Sequence, residues 1–271
     1  QKERRGAVLM NLIRMVCPCH FGLESTLKFE ITRIGGQDIS VSDGRVAFSG
    51  DLGTLIKANL WLSTAERVLV QLAEFDAYSF EELFQGTKNA PFEDFIGADD
   101  RFPVKGYSLN SELHSVPDCQ SIIKKAAVER LKNNYGISYF EETGALYQVR
   151  FSILKNHVSI FLDSTGEGLH KRGYRRNSNA APIKETLAAG IVDLAHIRGD
   201  SVVCDPFCGS GTILIEAAYK ALNIAPGLKR RFASDNWSII PQNLWETERK
   251  AALEAIRKDT DFFAYGYDID P

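Results

Sequence analysis

Two rhythms of apolar and polar positions run along this chain. In the first half, short alternating runs predict strands and 3.6-residue spacing predicts helices between them. Residues 11–16 read as a strand, 23–34 as a helix, 38–41 and 45–49 as a hairpin around Asp43-Gly44, 54–64 as a helix and 67–72 as a strand. That alternation predicts a small α+β unit of ferredoxin-like type. It continues with a helix near 80–84, a strand near 102–109, a long helix over 118–135 and strands over 147–154 and 157–163. In the long helix Ile122, Ile123, Ala126, Ala127 and Leu131 form the expected buried stripe.

Beyond Asp163 the pattern becomes that of an α/β nucleotide-binding unit. A helix is expected over 181–195, with Pro182 in its first turn and Ile183, Leu187, Ile191 and Leu194 spaced to pack against a sheet. Val202, Val203 and Cys204 read as a buried parallel strand, and Asp205 stands at its carboxyl end, where open α/β sheets bind ligands. Thr212 opens an amphipathic helix; residues 223–245 read as an insertion and 245–258 as a further helix. The apolar residues 262–264 then begin a strand running into Gly266-Tyr267-Asp268-Ile269-Asp270-Pro271.

The turn between Asp205 and Thr212 carries the most specific chemistry. Gly209 and Gly211 let the backbone turn sharply and approach a ligand without a Cβ in the way. The helix that follows offers free N–H donors. A carboxylate beside such donors suits an amino acid moiety, such as the methionine end of S-adenosylmethionine. A phosphate-binding P-loop would need Lys after the last glycine, where Thr212 stands, and a dinucleotide fingerprint would need glycine where Leu214 stands. At the second strand end Asp268 is the acid expected to accept hydrogen bonds from a ribose; Asp270 either contacts the ribose or adenine or caps the next helix.

Composition adds limits. The chain has 271 residues, 44% hydrophobic and 25% charged, which is ordinary globular composition. It has no apolar run of the about 18 residues that span a bilayer, and no signal-peptide cleavage pattern. Five cysteines, one in the glycine turn, fit a reducing cytoplasm. Cys17, Cys19 and His20 have no second cluster to complete a site, so no metal is expected. The net charge is −3, so any RNA binding depends on local clusters, of which His170–Arg176 and Lys229–Arg231 stand out. The first interleaves Tyr174 with cations, as phosphate contact plus base stacking requires, although a solvated linker shows the same composition.

The run DPFCGSGTILIEA, Asp205 to Ala217, closely resembles the cofactor motif of the methyltransferases that modify exocyclic amines of RNA bases. The resemblance implies S-adenosylmethionine as cofactor, with Asp205, Gly209 and Gly211 lining it. Pro206, Phe207, Cys208, Ser210 and Thr212 would shape the loop, and Glu216 would support it from the helix. The segment AAPIKETLAAG resembles the stretch that touches the cofactor's methionine, which places Lys184, Glu185 and Thr186 in that neighbourhood. VKGYSLNSELHSVPDCQSIIKKAAVERL resembles the core of a THUMP domain, an RNA-binding module, with Lys105, Ser111, His114 and Ser115 as candidate surface contacts; a hydrogen-bonded structural role is the more ordinary one for His114. GLHKRGYR is similar to the segment that joins the RNA-binding and catalytic parts, which makes Lys171, Arg172, Tyr174, Arg175 and Arg176 candidate RNA contacts.

The expected organisation is therefore a ferredoxin-like subdomain over 1–54, a THUMP domain over 55–165 and the front of a Rossmann-like methyltransferase domain over 166–271. In relatives an Asn/Asp-Pro-Pro-Tyr motif on the fourth strand holds the target amine and stacks on the flipped base. No such run occurs here, so the chain reads as the truncated front portion of a longer enzyme, with catalytic residues unknown. The implied activity is guanine-N2 methylation of 23S ribosomal RNA in the cytoplasm. A transfer-RNA guanine methyltransferase and a non-catalytic RNA-binding protein are the alternatives.

Overall fold

The computed structural model describes residues 12–175 and 182–269. Arg176 and Asp270, and the expected heads of the first strand and of the helix at 181, lie outside them. The chain forms two compact units.

The first unit comprises Leu69–Gly166, Phe232–Pro241 and the residues up to Val16. In it β4 (Leu69–Asp76) pairs antiparallel with β1 (Ile13–Pro18), Met15 facing Val70, and with β7 (His157–Asp163). β6 (Val149–Leu154) lies antiparallel to β7 and parallel to β5 (Val104–Leu109). The β6–β7 hairpin closes through Lys155 and Asn156, at φ 52° and 67°, the two left-handed positions of a type I′ turn. A parallel β5–β6 pair needs a crossover, and α4 (Val116–Tyr135) supplies it. Its buried face is Cys119, Ile123, Ala126, Ala127 and Leu131, while Ile122 is only half-buried. Gly106 is required by contact, because a Cβ there would stand 2.2 Å from the carbonyl oxygen of Phe151.

Part of the expected insertion belongs to this unit. Trp237, 1% exposed, stacks on Tyr147 with ring centroids 4.7 Å apart, and its indole N–H donates to the carbonyl of Leu146 at 3.1 Å.

The second unit comprises Cys17–Val68, Glu167–Arg231 and Gln242–Pro271, described to residue 269. It opens with α1 (Glu24–Arg33) and the hairpin β2 (Gln37–Ser42) and β3 (Arg45–Gly50). α2 (Leu52–Trp61) follows, its first turn capped by the Asp51 carboxylate, which accepts from Thr54 N at 2.7 Å. Later come α5 (Glu185–Leu194), β8 (Val202–Asp205), α6 (Thr212–Ala221), α7 (Gln242–Glu254) and β9 (Phe263–Gly266). β8 and β9 are parallel, with Val202 opposite Phe263 and Asp205 opposite Gly266.

Several expectations need correction here. Pro182 precedes α5 rather than lying in its first turn. The expected packing stripe is not the buried one: Ile183 and Leu187 are half-buried, and Ile191 and Leu194 are 40% and 64% exposed. The buried face is instead Glu185, Thr186, Ala188, Ala189, Gly190 and Val192, whose small residues let α5 pack closely on α6. β8 is the expected strand but not a buried one, since Val202 is 67% exposed and Cys204 is exposed; β9 is its single partner among the described residues.

Candidate functional site

The glycine turn is assembled from both strand ends. Asp205 and Gly266 are register partners, so the chain leaving each strand carries an acid into the same place: Asp205 itself and Asp268 two residues past β9. Tyr267 N donates to the Asp205 carbonyl at 3.0 Å, and Cys208 N to the Tyr267 carbonyl at 2.9 Å. Gly209 N donates to Asp268 Oδ2 at 2.7 Å, and Phe207 N to Asp205 Oδ1 at 3.0 Å. The two carboxylates predicted to recognise a ligand thus also hold the loop that would surround it. Gly266 permits this closure, because a Cβ there would stand 2.7 Å from Leu214 Cδ1 and 2.8 Å from Cys208 Sγ.

Gly209 and Gly211 have φ of 50° and 71°, the left-handed region expected of them. At Gly211 a Cβ would meet nothing within 4 Å, so the space beside the turn is open at that point and the glycine is required by its φ rather than by contact. α6 starts directly after Gly211 with no side-chain cap, so its first-turn amides are donors with no intrahelical acceptor. Open space beside the turn, unpaired amides and two carboxylates fit the amino acid and ribose of a nucleoside-linked amino acid such as S-adenosylmethionine. Pro206 and Phe207 are exposed on the turn, Phe207 at 87%.

Of the linker's described Lys and Arg cations, Lys171 is exposed but Arg172 and Arg175 are turned inward. Arg172 is 2% exposed: its Nε and Nη2 donate to Glu216 at 3.3 and 3.4 Å, Nη1 to the Leu169 carbonyl at 2.8 Å and Nη2 to the Ser63 carbonyl at 2.5 Å. Tyr174 donates its hydroxyl to Glu216 Oε1 at 2.9 Å. Arg172 is therefore a buried tie rather than an RNA contact, and Glu216 supports the linker rather than the glycine turn. Burial pushes the Glu216 carboxyl up despite Arg172, and it pushes the Tyr174 phenol up as well. In the second basic cluster, Arg230 is likewise 9% exposed, with Nη1 on the carbonyls of Gly168 and Lys171 at 2.7 and 2.9 Å.

Arg175 points at the turn. Its Nε donates to Glu185 Oε1 at 2.9 Å, Nη1 to Ser210 Oγ at 3.2 Å, and Nη2 to Thr212 Oγ1 at 2.9 Å and the Ile183 carbonyl at 3.3 Å. Of the residues expected near the cofactor's methionine, Glu185 reaches the turn through Arg175. Thr186, fully buried, donates its hydroxyl to Glu66 Oε1 at 2.6 Å, and Lys184 Nζ lies 3.8 Å from the same carboxylate. Glu66, also 3.2 Å from His20 Nε2, is a hub that sequence reading missed. Nothing local marks it, since Thr186 lies 120 residues away. The remaining expected RNA contacts are exposed: Lys105 on β5 beside exposed Tyr107, His114 with its Nδ1 3.0 Å from the Glu112 carbonyl, and Lys171.

Comparison with known proteins matches three stretches in order: residues 14–69 to the RlmL ferredoxin-like domain, 77–163 to the THUMP domain and 172–271 to the RMKL-like methyltransferase domain. The chain is 46% identical over 263 residues to "Putative RNA methyltransferase YpsC" of Bacillus subtilis, covering 96% of this chain and 68% of that protein. It is 35% identical to "Ribosomal RNA large subunit methyltransferase K/L" of Psychromonas ingrahamii, covering 87% of this chain and 32% of that one. Among solved structures, a "predicted N6-adenine-specific DNA methylase" from Listeria monocytogenes superposes with a TM-score of 0.93 at 44% identity, covering 100% of this chain and 70% of that one. "SMU.472, a putative methyltransferase complexed with SAH" superposes with a TM-score of 0.91 at 37% identity, covering 96% and 69%. With the glycine turn, the linker and the preceding module all matched, the chain belongs to the family of THUMP-containing, RlmL-like RNA methyltransferases.

Proposed function

We propose that this chain carries the RNA-binding region and cofactor loop of an S-adenosylmethionine-dependent methyltransferase acting on the exocyclic amine of a guanine in large-subunit ribosomal RNA. The observation that carries the reading is the pairing of Asp205 and Asp268 on one glycine turn that runs directly into the uncapped N-terminus of α6. In this reading Asp205 takes the ammonium of the cofactor's amino acid, the first-turn amides of α6 take its carboxylate, and Asp268 takes the ribose. The bound cofactor supplies an electrophilic methyl group on a sulfonium.

RNA is favoured over DNA by the THUMP domain and by the names of both curated relatives, against one solved structure named a DNA methylase. In the THUMP region, Lys105 and Tyr107, both exposed on β5, offer a cation and an aromatic for an RNA strand. No helix among the described residues is long and apolar enough to cross a membrane.

The test is mass spectrometry of digested ribosomal RNA, transfer RNA and DNA from cells with and without the full-length gene. Loss of one N2-methylguanine from the large ribosomal RNA is the expected result. Loss from transfer RNA would move the substrate there, loss of methyladenine from DNA would overturn the RNA reading, and no loss anywhere would favour a binding protein.

A further inference from the structure

The guanidinium of Arg175 bridges two segments beside the glycine turn that are about 25 residues apart in sequence, the start of α5 and the turn into α6. It reaches Glu185 at the start of α5, Ser210 in the glycine turn and Thr212 at the first position of α6. Ser210 and Thr212 flank Gly211, whose left-handed φ of 71° makes the turn into α6. The linker delivering this side chain is itself fixed, since Arg172 and Tyr174 are both tied to buried Glu216. Arg175 carries an ion pair to Glu185 at 2.9 Å, with the two side chains only 17% and 7% exposed, so neither charge is free to wander.

We propose that Arg175 is a positioning residue of the cofactor site: held by Glu185, it fixes the hydroxyls of Ser210 and Thr212 and with them the first turn of α6, where the cofactor's carboxylate docks. The proposal rests on the cofactor reading above. It also divides the turn into two halves. The Gly209–Asp268 half serves the ribose, and the half held by Arg175 serves the amino acid. A lysine cannot replace it, because one ammonium cannot reach Glu185 and both hydroxyls with the fork geometry of a guanidinium.

The experiment is calorimetric titration of the full-length protein and its Arg175→Ala and Arg175→Lys variants with S-adenosylhomocysteine and with 5′-methylthioadenosine, which has the nucleoside but no amino acid. Arg175→Ala is expected to weaken S-adenosylhomocysteine by roughly ten- to a hundred-fold while 5′-methylthioadenosine stays within about twofold. Arg175→Lys should recover only part of that loss. Equal weakening of both ligands would overturn the proposal by making Arg175 a general scaffold. Unchanged S-adenosylhomocysteine binding by Arg175→Ala would overturn it outright. Failure of the unaltered protein to bind either ligand would instead overturn the cofactor reading, and this proposal with it.

Discussion

At the scale of single residues, the Arg172–Glu216 pair has the largest consequence for stability. Both side chains are 1% exposed, and taking two charges out of water is repaid only while both are present. Arg172→Ala strands Glu216 and should cost about 3–5 kcal/mol in a urea titration; a loss below about 1 kcal/mol would show that water reaches the site. The same carboxyl gives a pH signature. Burial raises Glu216, and likewise Glu30, above the ordinary 4.5, so the folded state holds protons that the unfolded chain has released. That contribution is fully present below the ordinary carboxylate value and is lost as pH rises through each raised folded value. Glu216→Gln should therefore flatten, without abolishing, the fall of the urea midpoint above about pH 4.5, because Glu30 remains. An unchanged slope would mean Glu216 does not titrate differently in the two states.

At the scale of elements, helix boundaries rest on caps that the sequence displays. α3 (Phe80–Lys88) starts with a complete capping box, Ser79 Oγ accepting from Glu82 N at 3.3 Å and Glu82 Oε2 from Ser79 N at 3.1 Å. Ser79→Ala should cost about 1 kcal/mol, read as a lower denaturation midpoint at constant slope. Signals of this local kind were legible: the Asp43-Gly44 hairpin, the long α4 and the turn from Asp205 to Thr212 all depend on neighbours in sequence. What failed depended on partners far away. The stripe of Ile and Leu on α5 suggests a core face, yet the buried face carries Gly190, where a Cβ would stand 2.6 Å from Leu23 Cδ1, a contact 167 residues away in sequence. The sequence around Arg172 suggests an RNA contact because a basic cluster looks the same in water and against a carboxylate 44 residues downstream. Trp237 offered a large aromatic in an expected insertion, but nothing nearby said that it would stack on Tyr147.

At the scale of the whole molecule, the cofactor loop and the exposed THUMP cations sit in different compact units, so their ligands should be separable by mutation. Asp205→Ala removes the carboxylate that holds Phe207 N and would meet the cofactor's ammonium, while leaving β5 and its surface untouched. It should abolish measurable S-adenosylhomocysteine binding and leave RNA affinity unchanged. Arg175 is the wrong residue for the reciprocal change, since its guanidinium lies on the loop; exposed Lys105 is the better choice. Lys105→Ala should weaken RNA of any sequence alike and reduce the slope of log affinity against log salt by about one, the effect of one lost phosphate contact. Filter binding across a salt series, paired with calorimetry on the same preparations, measures both. If each variant damaged both ligands equally, binding of cofactor and RNA would have to be one coupled event, and the assignment of separate surfaces would fall.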